Sequence, residues 1–360
     1  MKKITTAALG AALSLSLFGA CTTQPPDTPN TPAQTTLAAF TDDAGRTVEL
    51  PDPSTLTKIS PSGGLSQMFL LAIAPDLMGT ISAGYTPDNA KYVPSEVAGL
   101  PVVGQFYGSS DINYESIASI GSQLVIDVGE PKKTIVEDMD SITTNLAVPA
   151  VHITATIDST PDAFRKLGKI LDREDKGEEL AQFCEKILKQ TDDIMTQVGD
   201  NKVKILYAMG PAGLNVLAAT SFHAEVLDSL TNNVAVVNDP SSKGDGNETD
   251  LEQILLWNPD VVIFGPGSIY STVSSDPAWK QLTAISEGKY YEVPMGPYNW
   301  VGMPPSINRY LSMMWFTKVF YPQFADFDLY QEVKEYYQLF YGYNLSQADY
   351  DALTANSLPR

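Results

Sequence analysis

The chain has 360 residues, 43% of them hydrophobic and 18% charged. That is an ordinary globular balance, and the length is enough for two domains that each bury a core. Forty-three acids against 23 bases leave a formal charge of −20, a field that repels nucleic acid and anionic membrane and argues against binding to a phosphate backbone.

The N-terminus is read as lying outside the fold. Lys2 and Lys3 give a positive start, and Ile4 to Gly19 is apolar but short for a membrane span. The stretch ends in Leu17-Phe18-Gly19-Ala20-Cys21. Small residues directly before a cysteine resemble the lipobox of bacterial lipoprotein signals, with Phe18 standing where leucine is usual. The resemblance implies that residues 1–21 are the signal and lipobox, and that Cys21 becomes the first mature residue and carries acyl chains. Ordinary signal cleavage beside an incidental cysteine is the other reading. Residues 22–38 hold a Pro/Thr/Gln run without apolar periodicity and read as a flexible tether. Cys184 is the only other cysteine; its helical spacing predicts that it packs as a small apolar residue. With Cys21 lipidated, no intramolecular disulfide can form.

The fold is expected to begin near Phe40 with a hairpin over residues 41–50, turning at Ala44-Gly45. A strand near 57–60 leads into Pro61-Ser62-Gly63-Gly64 and an apolar helix over 65–74. Strand and helix signals then alternate: a strand over 77–83, helix 114–120, strand 124–128, a helix near 131–145 and a strand near 150–153. Such alternation favours a parallel sheet with helices on its faces. Residues 39–158 are accordingly read as one α/β lobe. Ser159-Thr160-Pro161 then opens a long helical stretch, 159–200, that Gly177 and the charged run 172–176 can divide in two.

A second lobe, 201–345, starts with a strand at 202–208 and a Gly-rich turn at 209–213. A helix near 221–230, a helix-strand unit at 250–263, a strand at 289–293 and helices near 305–319 and 328–341 follow, with a C-terminal tail over 346–360. The helix-strand unit is a repeat. Asn113 to Ile126 aligns without gaps on Asp250 to Ile263, placing Glu115 on Glu252, Ile117 on Ile254 and Val125 on Val262, 137 positions apart. Two copies of one unit point to two similar lobes, and two lobes make a cleft.

Enzyme signatures are largely missing: there is no G-x-S-x-G, no G-x-x-x-x-G-K-[ST] and no H-E-x-x-H. With only His152 and His223, a bare transition-metal site of three or four His/Cys ligands cannot be assembled, so no direct metal site and no cofactor are expected. The strongest local signal is Pro294 to Trp300 followed by Pro304-Pro-Ser-Ile-Asn-Arg309. Here Arg309 can hold an anion bidentately or pair with a protein acid, and Tyr298 and Trp300 offer flat apolar faces beside it.

These residues bring the chain to a family. It resembles the lipoprotein-anchored substrate-binding components of bacterial ABC importers, in the class that handles ferric siderophores, haem, cobalamin and some oxyanions. The matching stretches are Asp42-Asp-Ala-Gly-Arg-Thr-Val48, both copies of the repeat, Asp276-Pro-Ala-Trp279 with Gly288-Lys-Tyr-Tyr291, and Trp300 with Pro304 to Arg309. The first repeat departs from the pattern, with Gly121-Ser-Gln where Pro-Asp is usual. The resemblance implies an α/β fold of two lobes, each with a mainly parallel central sheet flanked by helices, joined by a long rigid helix with the ligand cleft between them. It also implies that Glu115 and Glu252 dock onto arginines of the membrane permease; two solvated glutamates at helix starts are the structural alternative.

Ligand contacts are expected from loops at the carboxyl ends of the strands, where open α/β sheets bind. The candidates are Ser62, Gly63, Gly64, Tyr85, Tyr107 and residues 129–132 in the first lobe. In the second they are residues 209–213 and 242–246, Tyr298, Trp300 and Arg309, with His223 either at the ligand or capping its own loop. The expected function is capture of an iron-siderophore or similar metal chelate for an ABC permease and its ATPase subunits. Molybdate, tungstate, haem or cobalamin are alternatives within the same class, and a surface-anchored enzyme is the alternative outside it. The protein is expected to act as an extracytoplasmic monomer held to the membrane through its N-terminal lipid, without catalysis.

Overall fold

The computed structural model describes residues 39–106, 112–241 and 243–359. The leader, Cys21, the tether, Tyr107 and Ser242 lie outside the described residues. Phe40–Thr41 (β1) and Thr47–Val48 (β2) pair antiparallel as the hairpin. Asp42 fixes its turn, accepting from the amides of Ala44 at 3.1 Å and Arg46 at 2.9 Å.

Ile59–Pro61 (β3) runs directly into Gly64–Ile73 (α1). Eight of the ten residues of α1 are buried, as expected of a helix apolar on nearly every side. The expected strand over 77–83 does not form. Met78 bridges to Ile59 and Ile81 to Val102, two different partners that give no continuous ladder. Two short helices follow, Pro87–Ala90 (α2) and Ser95–Ala98 (α3). The chain continues through Tyr114–Ile120 (α4), Leu124–Gly129 (β4), Ile135–Leu146 (α5) and Ala150–Thr154 (β5). The sheet is parallel, in the order β3-β4-β5, and every residue of the central strand is buried.

The connecting stretch is two helices, Thr160–Leu171 (α6) and Glu174–Val198 (α7). At 1.5 Å per residue, α7 is about 37 Å long. The break falls at Asp172, in the left-handed region with φ 55°, and not at Gly177. Gly177 lies inside α7 for a packing reason: a Cβ there would come within 2.6 Å of the Phe164 carbonyl oxygen on α6.

The second sheet is built from Lys204–Met209 (β6) and Asn215–Val216 (β7), then, after Glu225–Leu230 (α8), from Asn232–Asn233 (β8) and Asn247–Glu248 (β9). Leu251–Trp257 (α9), Val261–Phe264 (β10), Tyr270–Val273 (α10), Thr283–Ser286 (α11) and Tyr290–Glu292 (β11) complete the lobe. The strand order is β11-β10-β6-β7-β9, with β8 also on β6. Pairing is parallel among β11, β10, β6 and β8, and antiparallel at β7 and β9.

Both repeat units adopt one local structure. Asn113 caps α4 by accepting from the Ser116 amide at 2.9 Å, and Asp250 caps α9 by accepting from the Gln253 amide at 2.8 Å. Each helix has seven residues and stops at a left-handed residue, Gly121 or Asn258. Each buries one isoleucine, Ile117 or Ile254, and each following strand pairs with a parallel neighbour on both sides.

The C-terminal helices, Arg309–Phe320 (α12), Leu329–Tyr341 (α13) and Gln347–Thr354 (α14), depart from expectation in three ways. First, α12 begins at Arg309 and not at the prolines. Residues preceding proline avoid the helical region, and the Asn308 side chain holds the Ser306 amide at 3.0 Å in a turn of its own. Second, α12 and α13 do not simply close the second lobe: α12 packs on α7 and α13 on α1. One apolar cluster therefore runs from Phe69 and Phe164 through Tyr336, Tyr337 and Phe340 to Tyr207. Third, the C-terminal tail is ordered as α14, with Ser357 Oγ donating to the Glu292 carbonyl at 2.6 Å and Lys91 paired with Asp349 at 3.0 Å.

Candidate ligand-binding cleft

The loop after β11, residues 294–308, meets the start of α1, which follows β3. A Cβ added at Gly64, at the start of α1, would meet the Pro304 ring at an ordinary 3.6 Å. Ser306 Oγ donates to the Leu65 carbonyl at 3.2 Å. Gly63 lies against Gln105.

Tyr85 and Tyr298, separate candidates from opposite lobes, meet in the structure. Their rings meet edge-on with centroids 5.8 Å apart, and their hydroxyls are 2.6 Å apart. Sequence reasoning missed the residue that organises them. Gln67 on α1 accepts through Oε1 from the amides of Ser82 at 2.7 Å and Ala83 at 3.1 Å. Its Nε2 is therefore directed to the hydroxyls of Tyr85 at 3.0 Å and Tyr298 at 3.2 Å. The available signal was one long polar residue in an otherwise apolar helix. Burial raises the pKa of both phenols, and that of Tyr298 well above its usual 10. Both remain protonated donors at neutral pH. Gln67 Nε2 also lies 3.1 Å from the Ala83 carbonyl and is buried, and one phenol donates to the other, so the cluster ties Tyr85 to Tyr298 and leaves one phenolic O–H and two half-buried ring faces for a ligand.

His223 joins the second-lobe side. Its Nδ1 lies 3.0 Å from the Gly302 carbonyl, so it must carry the proton, and Nε2 of the neutral ring is then an acceptor. The His223 ring edge and the Met303 methyl both approach Gly244, within the 242–246 loop. Met209 is buried, and its methyl closes over Gly246. Lys132 stands exposed at the end of the β4 loop; desolvation by the surrounding protein lowers its pKa against the pull of Asp127, Asp138 and Glu130.

Three expected contacts are placed elsewhere. Arg309 is only 1% exposed. Its guanidinium is paired with Glu225 on α8, lies 5.1 Å from the Phe222 ring and donates through Nε to the Ser306 carbonyl at 3.1 Å. Burial lowers the Arg309 pKa and the Glu225 charge opposes that shift. Of the two readings left open by the sequence, the protein-paired arginine is the one formed. Trp300 is fully buried against Trp315 and donates to the Tyr337 hydroxyl at 3.3 Å. Ser62 also faces inward. Its hydroxyl contacts Asp127 and lies 2.9 Å from Ser66 Oγ, while Asp127 holds His152 Nδ1 at 2.7 Å. This chain of polar groups ties the first turn of α1 to β4 and β5, and makes His152 structural. Glu115 and Glu252 are both exposed, in the first turns of α4 and α9 and away from the Tyr85–Tyr298 pair in sequence and in element.

The sequence profile of the periplasmic binding protein family matches residues 67–295, more than half of the chain. The chain belongs to that family. Among curated relatives, it is 24% identical over 221 residues to the Fe(3+)-citrate-binding protein YfmC of Bacillus subtilis, covering 60% of this chain and 67% of the relative. It is 21% identical over 327 residues to the molybdate-binding protein MolA of Haemophilus influenzae, covering 84% and 90%. Among solved structures, an ABC transporter solute-binding protein from Sulfurospirillum deleyianum superposes with a TM-score of 0.80 at 26% identity, over 88% of this chain and 99% of that one. The Haemophilus MolA structure with molybdate superposes at 0.68 and 17% identity, over 86% and 99%, a likeness of fold. No helix among the described residues is long and apolar enough to cross a membrane.

Proposed function

We propose that this protein is the extracytoplasmic substrate-binding component of an ABC importer, and that its cargo is a ferric chelate rich in oxygen acceptors. The observation that carries the ligand class is the Tyr85–Tyr298 pair held by Gln67, two half-buried aromatic faces with one phenolic O–H left to donate. Gly63, Gly64, His223 and Lys132 are proposed as further contacts of the same ligand. The iron-citrate-binding relative supports iron as the metal. A small oxyanion is the second reading, favoured by the longer match to the molybdate-binding relative. The bound protein would be carried on acylated Cys21 as a monomer, and would deliver cargo to the permease and its ATPase subunits by seating exposed Glu115 and Glu252 on basic residues of the permease.

Calorimetric titration with ferric citrate and with molybdate tests the reading. Ferric citrate should bind one to one, and Tyr85→Phe or Tyr298→Phe should weaken it about two- to tenfold, since each removes a hydrogen bond that contributes roughly 0.5–1.5 kcal/mol. Binding of molybdate alone would replace the chelate with the oxyanion, and unchanged affinity in both variants would remove the tyrosine pair from the site.

A further inference from the structure

Five large hydrophobic residues are exposed among the described residues: Val102, Val136, Val236, Leu256 and Met295. Four of them are chain neighbours of residues in the apolar clusters into which the two repeat helices pack. In the first lobe, Ile117 of α4 shares a cluster with Val103 and Ile135, the chain neighbours of Val102 and Val136. The amide of Asn113, the cap of α4, also donates to the Val103 carbonyl at 2.8 Å. In the second lobe, Ile254 of α9 shares a cluster with Ala235, the neighbour of Val236, and Leu256 is on α9 itself. Leu256 is 79% exposed and Val236 69%, the two highest values of the five. Leu256 follows Glu252 by four positions, so both share one face of α9.

We infer that each lobe carries a mixed docking surface, a glutamate bordered by exposed aliphatic side chains, and that the second lobe makes the stronger apolar contact. This deepens the docking role proposed above and rests on it. The partner is the extracytoplasmic face of the membrane permease, with a basic residue beside an apolar recess in each of two similar halves. Charge complementarity supports that occupant: the chain has a net charge of −20 and exposes a carboxylate at the same place in both repeats. The two repeats are not equivalent, however. Leu256 aligns with Ser119, Leu255 with Ala118 and Asp250 with Asn113. A partner of two similar halves would otherwise accept the binding protein in two orientations; the apolar surplus around α9 selects one of them.

The test uses the full chain and its cognate permease–ATPase complex in lipid nanodiscs, with association read by surface plasmon resonance. Leu256→Ser with Val236→Ser should weaken association at least about fivefold, and Val102→Ser with Val136→Ser about two- to threefold, the scale of losing exposed aliphatic area from an interface. Ferric citrate affinity should stay unchanged in both pairs, and the thermal midpoint in the Leu256/Val236 pair, whose side chains are 79% and 69% exposed; Val136 is 38% exposed, so the first-lobe pair is compared at a temperature where it is fully folded. Glu252→Lys is the arm for the underlying reading. Abolished association with Glu252→Lys but none lost with the serine pairs would overturn the apolar surface and leave the glutamate role intact. Full association with Glu252→Lys would overturn both. Equal losses from the two serine pairs would overturn the orientation argument.

Discussion

The buried ion pair between Arg309 and Glu225 makes a sharp prediction. Glu225→Gln leaves a guanidinium that is 1% exposed without its counter-charge. Breaking a buried pair from one side costs about 3–5 kcal/mol. The Glu225 side chain keeps 29% of its surface in solvent, so water can replace part of the lost interaction and the expected cost falls to about 2–3 kcal/mol. In a chain of this size that lowers the melting midpoint by roughly 3–5 °C. Arg309→Met should cost a similar amount by stranding hydrogen-bond partners such as the Ser306 carbonyl. The double variant, Arg309→Met with Glu225→Met, removes both charges and should recover at least half of the loss. Urea unfolding followed by circular dichroism reads all four proteins, with ferric citrate affinity measured in parallel. The single variants should lose stability while retaining most of their ligand affinity. Arg309→Met at wild-type stability with more than a tenfold loss of affinity would refute the structural role and return Arg309 to the ligand.

Gly177→Ala should destabilise although alanine is the better helix former by roughly 1 kcal/mol, because its Cβ would meet the Phe164 carbonyl oxygen at 2.6 Å; a net loss of about 1–3 kcal/mol is expected from overpacking, and a stabilised variant would contradict the close crossing of α6 and α7. Tyr207, Tyr298, Tyr310, Tyr336, Tyr337 and Tyr341 are all held above the usual phenol pKa of 10, chiefly by burial. Their raised folded-state values mean that stability is fully present below pH 10 and is lost as pH rises above it, because the unfolded chain releases those protons first. Ultraviolet titration should show phenolate from these residues only with unfolding; early phenolate in the folded state would contradict their burial. Charge reversal at Glu115 and Glu252 together should abolish uptake of radiolabelled ferric citrate by cells and leave calorimetric binding intact, whereas loss of binding would place those residues at the ligand.

What was legible in the sequence was local. The repeat could be read because each copy carries its own cap, its single buried isoleucine and its β-branched strand within fourteen residues, and none of these depends on distant partners. Tyr85 and Tyr298 were each singled out as loop residues near a cleft, but their pairing, 213 positions apart, was not legible. Arg309, Trp300 and Ser62 were misplaced because their surroundings come from far along the chain. Glu225 lies 84 positions before Arg309, and Asp127 lies 65 positions after Ser62. A polar or aromatic residue after a strand looks the same whether it faces a cleft or a buried partner. Gln67 was overlooked for the converse reason: it sits in an apolar helix, and only the distant Tyr85 and Tyr298 hydroxyls reveal its role. The expected strand over 77–83 failed because alternation cannot show whether one neighbour or two will pair with a segment.

The proposed role requires that the protein capture an intact metal chelate and pass it on. Native mass spectrometry with metal analysis, performed on protein purified from its own host under iron-limited growth, tests this most directly. The expected result is a one-to-one complex whose added mass contains iron and an organic chelator, released unchanged on denaturation. A bound molecule without metal, or a chelator recovered in chemically altered form, would contradict it.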